Sequence, residues 1–176
     1  MTSPWRSTRR VMLLGIVWLT AATVAQAQGV DATDTAGRGL ELSGIAAGYG
    51  LFQGGGALVP DALWGVKIAH FPRAHLGAEF TFEQSIREPA VRYLGGDLVM
   101  QLPGQGAKRL IPFAHVGGGA FVLGASEIEP VLSFGGGIKQ YITDRLGVRF
   151  GVQDRMSMRT PSVHIVSFYG GAMLRF

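Results

Sequence analysis

The stretch Val163-His164-Ile165-Val166-Ser167-Phe168-Tyr169-Gly170-Gly171-Ala172-Met173-Leu174-Arg175-Phe176 decides the fold. Val166, Phe168, Ala172, Leu174 and Phe176 share one parity, with Gly170 among them, while Ser167, Tyr169 and Arg175 fall on the other. Successive side chains of a strand point to opposite faces. One face is therefore apolar to Phe176, and the other carries a hydroxyl, a phenol and a guanidinium. The termini of water-soluble domains usually fray into polar chain. An apolar two-residue repeat carried to the terminus predicts a strand that closes a barrel in lipid.

The same alternation recurs upstream. Leu146, Val148, Phe150 and Val152 oppose Gly147, Arg149, Gly151 and Gln153. Leu76, Ala78, Phe80 and Phe82 oppose Gly77, Glu79, Thr81 and Glu83. Leu132, Phe134, Ile138 and Ile142 oppose Ser133, Lys139 and Tyr141; Trp64, Val66 and Ile68 oppose Lys67; Leu94, Leu98, Met100 and Leu102 oppose Tyr93, Asp97 and Gln101. Turn signals divide the chain into strand-length runs over 39–51, 63–71, 75–86, 91–102, 109–123, 131–142, 146–156 and 163–176. Most are near or above the roughly 9–11 residues a tilted strand needs to cross a bilayer. No run shows a capped helical stripe. The predicted fold class is all-β, an eight-stranded antiparallel up-and-down barrel.

The start of the chain predicts export. Arg6, Arg9 and Arg10 precede the apolar run Val11–Ala22, and Ala25-Gln26-Ala27 has the small-x-small cleavage pattern. The apolar run falls short of the ~20 residues of a spanning helix. Thr8-Arg9-Arg10-Val11-Met12-Leu13 faintly resembles a twin-arginine signal, a route for folded cargo that fits a lipid-facing barrel poorly. The expected organisation is a signal peptide at 1–27, a mobile polar leader at 28–38 and a barrel at 39–176. The net charge of +4 falls to +1 once the three basic residues of the signal are removed. With no basic cluster interleaved with aromatics, nucleic acid is not an expected partner. The absence of cysteine excludes disulfides, thiol catalysis, Cys-ligated metals and a Cys-linked lipid anchor.

A soluble β-sandwich also alternates, but its wet face is dense in Lys, Glu and Thr. Here the polar parity carries few charges, of both signs, among many glycines, which fits an enclosed lumen. The apolar parity is assigned to lipid. Lys67, Glu79, Asp97, Lys139, Arg149 and Arg175 then face inward, and buried charges persist only when paired and hydrogen-bonded. These six are the expected lumenal charge network, with Glu83 nearer a strand end. Connections 52–62, 87–90, 124–130 and 157–162 fall at the outer end, and turns 72–74, 103–108 and 143–145 at the periplasmic end. Phe52, Trp64, Phe82 and Phe121 are expected at an outer aromatic girdle, and Phe71, Phe113, Tyr141 and Phe176 at an inner one.

On these residues the chain resembles the small eight-stranded outer-membrane barrels, of the outer-membrane protein A transmembrane-domain and outer-membrane protein X type. The resemblance rests on the alternating strands, the Pro-Phe-Ala-His-Val-Gly-Gly-Gly run at 112–119, the hairpin at 135–149 and Phe176. It implies the bacterial outer membrane as location, outer-membrane lipid as surroundings and a monomeric state. It also implies that Phe168, Ala172, Leu174 and Phe176 form the address read by the barrel-assembly machinery. Gly170 departs from that pattern.

Other chemistries are weaker. The glycine runs lack the strand-loop-helix setting of a phosphate loop, and mid-strand glycine usually marks a bend or a close approach. An acyl-modifying enzyme of lipid A needs a nucleophile, a base and an orienting acid in reach of one another. The candidates are His115, His164 with Ser167, and an acid such as Glu79 or Asp97; but His164 and Ser167 have opposite parity, the His-x-Ser motif is absent, and His115 reads as a satisfied lumenal or girdle residue. His70 and His75 bracket a turn without a carboxylate cluster, so no metal and no cofactor is expected. Eight strands leave room only for side chains, whereas open pores take about 16. The expectation is a structural or surface-interaction barrel. A soluble periplasmic lipocalin-like barrel, with its apolar parity inside, is the alternative.

Overall fold

A computed structural model describes residues 38–53, 59–86, 91–102, 110–123, 127–159 and 163–176. The predicted signal peptide and all of the leader but Arg38 lie outside the described residues. Eight strands follow one another: β1 Gly39–Gln53, β2 Val59–Arg73, β3 Leu76–Ser85, β4 Val91–Gln101, β5 Leu110–Leu123, β6 Glu127–Tyr141, β7 Leu146–Ser157 and β8 Val163–Arg175. Each pairs antiparallel with its neighbours in sequence, and β1 pairs with β8, so the sheet closes into a barrel. Closure leaves no strand of the sheet unpaired along a whole side.

Burial alternates along β3 and β4 as the side-chain period of two requires. The outward residues include Phe80 at 50%, Phe150 at 54%, Leu98 at 59% and Phe168 at 66% exposure. The inward parity is buried and mixes ionic residues with apolar ones such as Ile45, Leu63, Phe71, Val99 and Phe113. This is the reverse of a soluble barrel, whose apolar parity faces in. The core of the molecule is its lumen.

Two strands begin earlier than the sequence pattern indicates. β2 starts at Val59 and runs through Pro60-Asp61, and β6 starts at Glu127 and runs through Pro130, both read above as loop. The register gives the reason. Residues 59–61 pair only with β1, because the β2–β3 ladder begins at Leu63↔Ser85. Residues 127–130 pair only with β5, because the β6–β7 ladder begins at Val131↔Ser157. Proline lacks an N–H and is tolerated on such an open edge. The Pro130 carbonyl still accepts from Met158 N at 3.0 Å. These connections thereby shorten to 54–58 and 124–126.

The two described termini lie at one end of the barrel, where Phe176 N donates to Leu40 O at 2.9 Å. The β6–β7 turn there is closed by Thr143, whose hydroxyl accepts from Leu146 N at 2.9 Å.

Candidate functional site

Among the described residues the lumen holds four buried acids, Glu41, Glu79, Glu83 and Asp97, and four buried cations, Lys67, Lys139, Arg149 and Arg155. These eight charges balance, which suits a compartment of low dielectric. The groups sit in tiers along the axis, and each tier ties together strands far apart in sequence.

Nearest the termini, Lys139 on β6 reaches across to Glu41 on β1 at 2.5 Å and donates to Gln101 Oε1 at 3.1 Å. Tyr141 donates its hydroxyl to the other Glu41 oxygen. The Lys139 ammonium also stands 4.2 Å from the Phe71 ring centroid. In the next tier Glu79 on β3 is shared by two cations. Lys67 reaches Oε1 at 3.1 Å, and Arg149 from β7 reaches Oε2 at 2.6 Å. Thr81 accepts from Lys67 at 3.0 Å, and Arg149 donates to the Tyr169 hydroxyl at 3.3 Å. Farther along, Ser133 donates its hydroxyl to Asp97, and His115 Nδ1 lies 3.5 Å from the second Asp97 oxygen. In the tier nearest the loops Arg155 meets Glu83 at 2.7 Å and Gln153 Oε1 at 2.9 Å, with Tyr93 4.0 Å from its guanidinium.

Of the six residues assigned inward from sequence, the structure buries five. It brings Lys67, Glu79 and Arg149 into one cluster, and sets Asp97 with Ser133 and His115. Lys139 meets Glu41, a partner absent from the sequence reading. Arg175 stands at the mouth, half-buried, 4.4 Å from the Tyr141 ring and donating to the Asp144 carbonyl at 2.8 Å. Arg155 was legible, since it continues the parity of Arg149, Gly151 and Gln153. Glu41 was not: Leu40, Leu42, Gly44 and Ala46 oppose Glu41, Ser43, Ile45 and Ala47, and neither face stands out.

The aromatic girdle reading needs correction. Phe71, Phe113, Phe121 and Tyr141 lie inside the barrel, at 6% exposure or less. They have the inward parity, and their ring faces lie beside the lumenal cations. Arg149 sits 4.9 Å from Phe113 and Arg155 5.7 Å from Phe121. A cation among rings is stabilised electrostatically where water is scarce. Trp64 and Phe176 do face outward. The side chain of Phe52 lies outside the described residues.

Inward glycines make room for this filling. A Cβ on Gly95 would strike the Tyr93 ring, which folds back over it. The enzyme candidates separate. His164 points to the outer wall and pairs with Asp154 at 3.0 Å, whereas Ser167 points in and donates to Gln153 O at 3.4 Å. In the Asp97 cluster the serine donates to the carboxylate, so no imidazole activates it. Among the described residues no group of three or more His, Asp or Glu is placed to hold a metal.

The fold and lumen define a closed eight-stranded barrel with an apolar wall and an ion-paired interior. No family model matches the sequence, and no curated protein matches it. Solved structures match the fold. Neisserial surface protein A aligns over 78% of this chain and 97% of its own, with TM-score 0.60 and 11% identity. Ail, the attachment invasion locus protein of Yersinia pestis, aligns over 79% and 99%, with TM-score 0.57 and 15% identity. The N-terminal β-barrel domain of Pseudomonas aeruginosa OprF aligns over 78% and 98%, with TM-score 0.54 and 14% identity. The architecture is that of the small eight-stranded outer-membrane barrels.

Proposed function

We propose that the chain is a small integral protein of the bacterial outer membrane, monomeric, with a structural or surface-contact role and a sealed lumen. One observation carries this reading: the wall exposes Phe80, Leu98, Phe150 and Phe168 while eight charged side chains, among the described residues, are buried inside. Exposed apolar surface of that extent is stable only against lipid. The soluble lipocalin-like alternative requires an apolar interior to hold its ligand. The ion pairs and rings that fill the lumen argue against a wide pore. The end away from the described termini is the outer one in this reading. Ail, by its name, is an attachment protein, and surface contact of that kind falls to the connections at that end.

Phe168, Ala172, Leu174 and Phe176 are all exposed on the outer wall of β8. That placement supports their role as the address for the barrel-assembly machinery. The test is fractionation: the protein is expected with the outer membrane, migrating differently on gels before and after boiling. Recovery in the periplasmic extract without detergent would sink the proposal. Incubation with lipid A is expected to leave its acyl number unchanged, and a changed number would replace the structural role with an enzymatic one.

A further inference from the structure

Among the described residues the two ends of the barrel differ in charge. At the end of the described termini stand Arg38, Arg73, Arg145 and Arg175, with Asp144 as the exposed acid. Glu41, at the same end, is buried against Lys139. At the other end stand exposed Glu127 and half-buried Glu129 and Asp154, together with exposed Arg92 and Arg159.

The four arginines form an arc on consecutive strands. Arg145 leads into β7, and its carbonyl accepts from Arg175 N of β8 at 2.7 Å. β8 pairs with β1, which Arg38 precedes. Gly39 lies opposite Phe71 of β2, two residues before Arg73. Arg175 is engaged with Tyr141 and the Asp144 carbonyl. The side chains of Arg38, Arg73 and Arg145 are exposed, and none makes an ion pair with another described residue.

Directly beside this arc the wall is apolar: Leu40, Ile142, Leu146 and Phe176 all face outward. Arg38 is two residues beyond Leu40, about 7 Å along a strand, and Arg145 adjoins Leu146. A long cationic side chain in that position lies along apolar surface with its head at the lipid–water boundary. A guanidinium matches a phosphate bidentately.

We infer that this arc binds the phosphate of anionic phospholipid headgroups in the leaflet at the end of the described termini. The inference rests on the membrane reading above, which makes that leaflet the periplasmic one. The apolar wall beside the arginines favours a headgroup over free phosphate, because the acyl chains of the same lipid lie against Leu40 and Phe176.

The test uses the refolded chain in neutral detergent, titrated with phosphatidylglycerol, phosphatidylcholine or inorganic phosphate, with bound species counted by native mass spectrometry. The variants are the triple Arg38→Gln/Arg73→Gln/Arg145→Gln and, at the other end, Arg92→Gln/Arg159→Gln. Gel migration before and after boiling confirms that each is folded. The parent is expected to hold phosphatidylglycerol about tenfold more tightly than phosphatidylcholine. The triple variant is expected to lose that preference, and the control to keep it. Equal retention of the two lipids by the parent would overturn the inference alone. So would equal loss in both variants, or phosphate binding as well as the lipid. A chain that stays soluble without detergent and holds neither lipid would overturn the membrane reading and this inference together.

Discussion

Glu79 is the residue on which the lumen turns, because one carboxylate satisfies Lys67 and Arg149 at once. Removing one partner of a buried ion pair leaves the others charged and desolvated, at a cost of about 3–5 kcal/mol. Glu79→Gln is therefore expected to lower the free energy of unfolding by that amount, read from the urea transition followed through Trp64 fluorescence. Arg159→Ala, which breaks an exposed 3.9 Å contact to Glu129, is expected to cost under ~1 kcal/mol. Equal effects would show that the lumenal pairs are no better than surface ones. Gly95 offers a second test. Gly95→Ala is expected to cost about 1–3 kcal/mol through overpacking against Tyr93. In a Tyr93→Ala background the same change is expected to cost almost nothing. The sequence showed that Glu79 and Arg149 are inward, since parity is local. It did not show that they meet, because they lie 70 residues apart and touch only across a closed cylinder.

Each strand is a two-faced element, and β8 shows both faces. Phe168 is exposed on the wall, opposite Val152 of β7 and Gly48 of β1, near the middle of the strand. Phe168→Arg puts a charge into hydrocarbon and is expected to cost about 2–4 kcal/mol at that depth. Reversible folding into lipid vesicles measures it, and an unchanged folding energy would place that face in water. Element boundaries were less legible than faces. Pro60 and Pro130 read as loop markers, yet each sits in a ladder on the side that has a partner. Whether a proline has a neighbour to disappoint depends on which strands extend past it, and that is set by the stagger between strands.

Closure is a property of the whole molecule. Leu42 of β1 lies opposite Leu174 of β8 on the outer wall, and the chain contains no cysteine to confuse the result. Opposed residues in an antiparallel pair stand about 4.5–5.5 Å apart, within the span of a disulfide. Leu42→Cys/Leu174→Cys is expected to form an intramolecular bridge that holds boiled protein in a faster-migrating form until it is reduced. A pair that forms only intermolecular bridges would contradict the β1–β8 seam.

By itself the sequence determined the strand count, the two faces of most strands and the inward set of charges, because alternation is a local consequence of backbone geometry. The tertiary structure decided which charge meets which, and that Phe71, Phe113, Phe121 and Tyr141 fill the lumen rather than ring the membrane. It also placed Glu41 among the lumenal ions, and gathered four arginines from separate turns and termini onto one rim. All of these depend on stagger and closure, which bring residues together across a barrel from strands tens of residues apart.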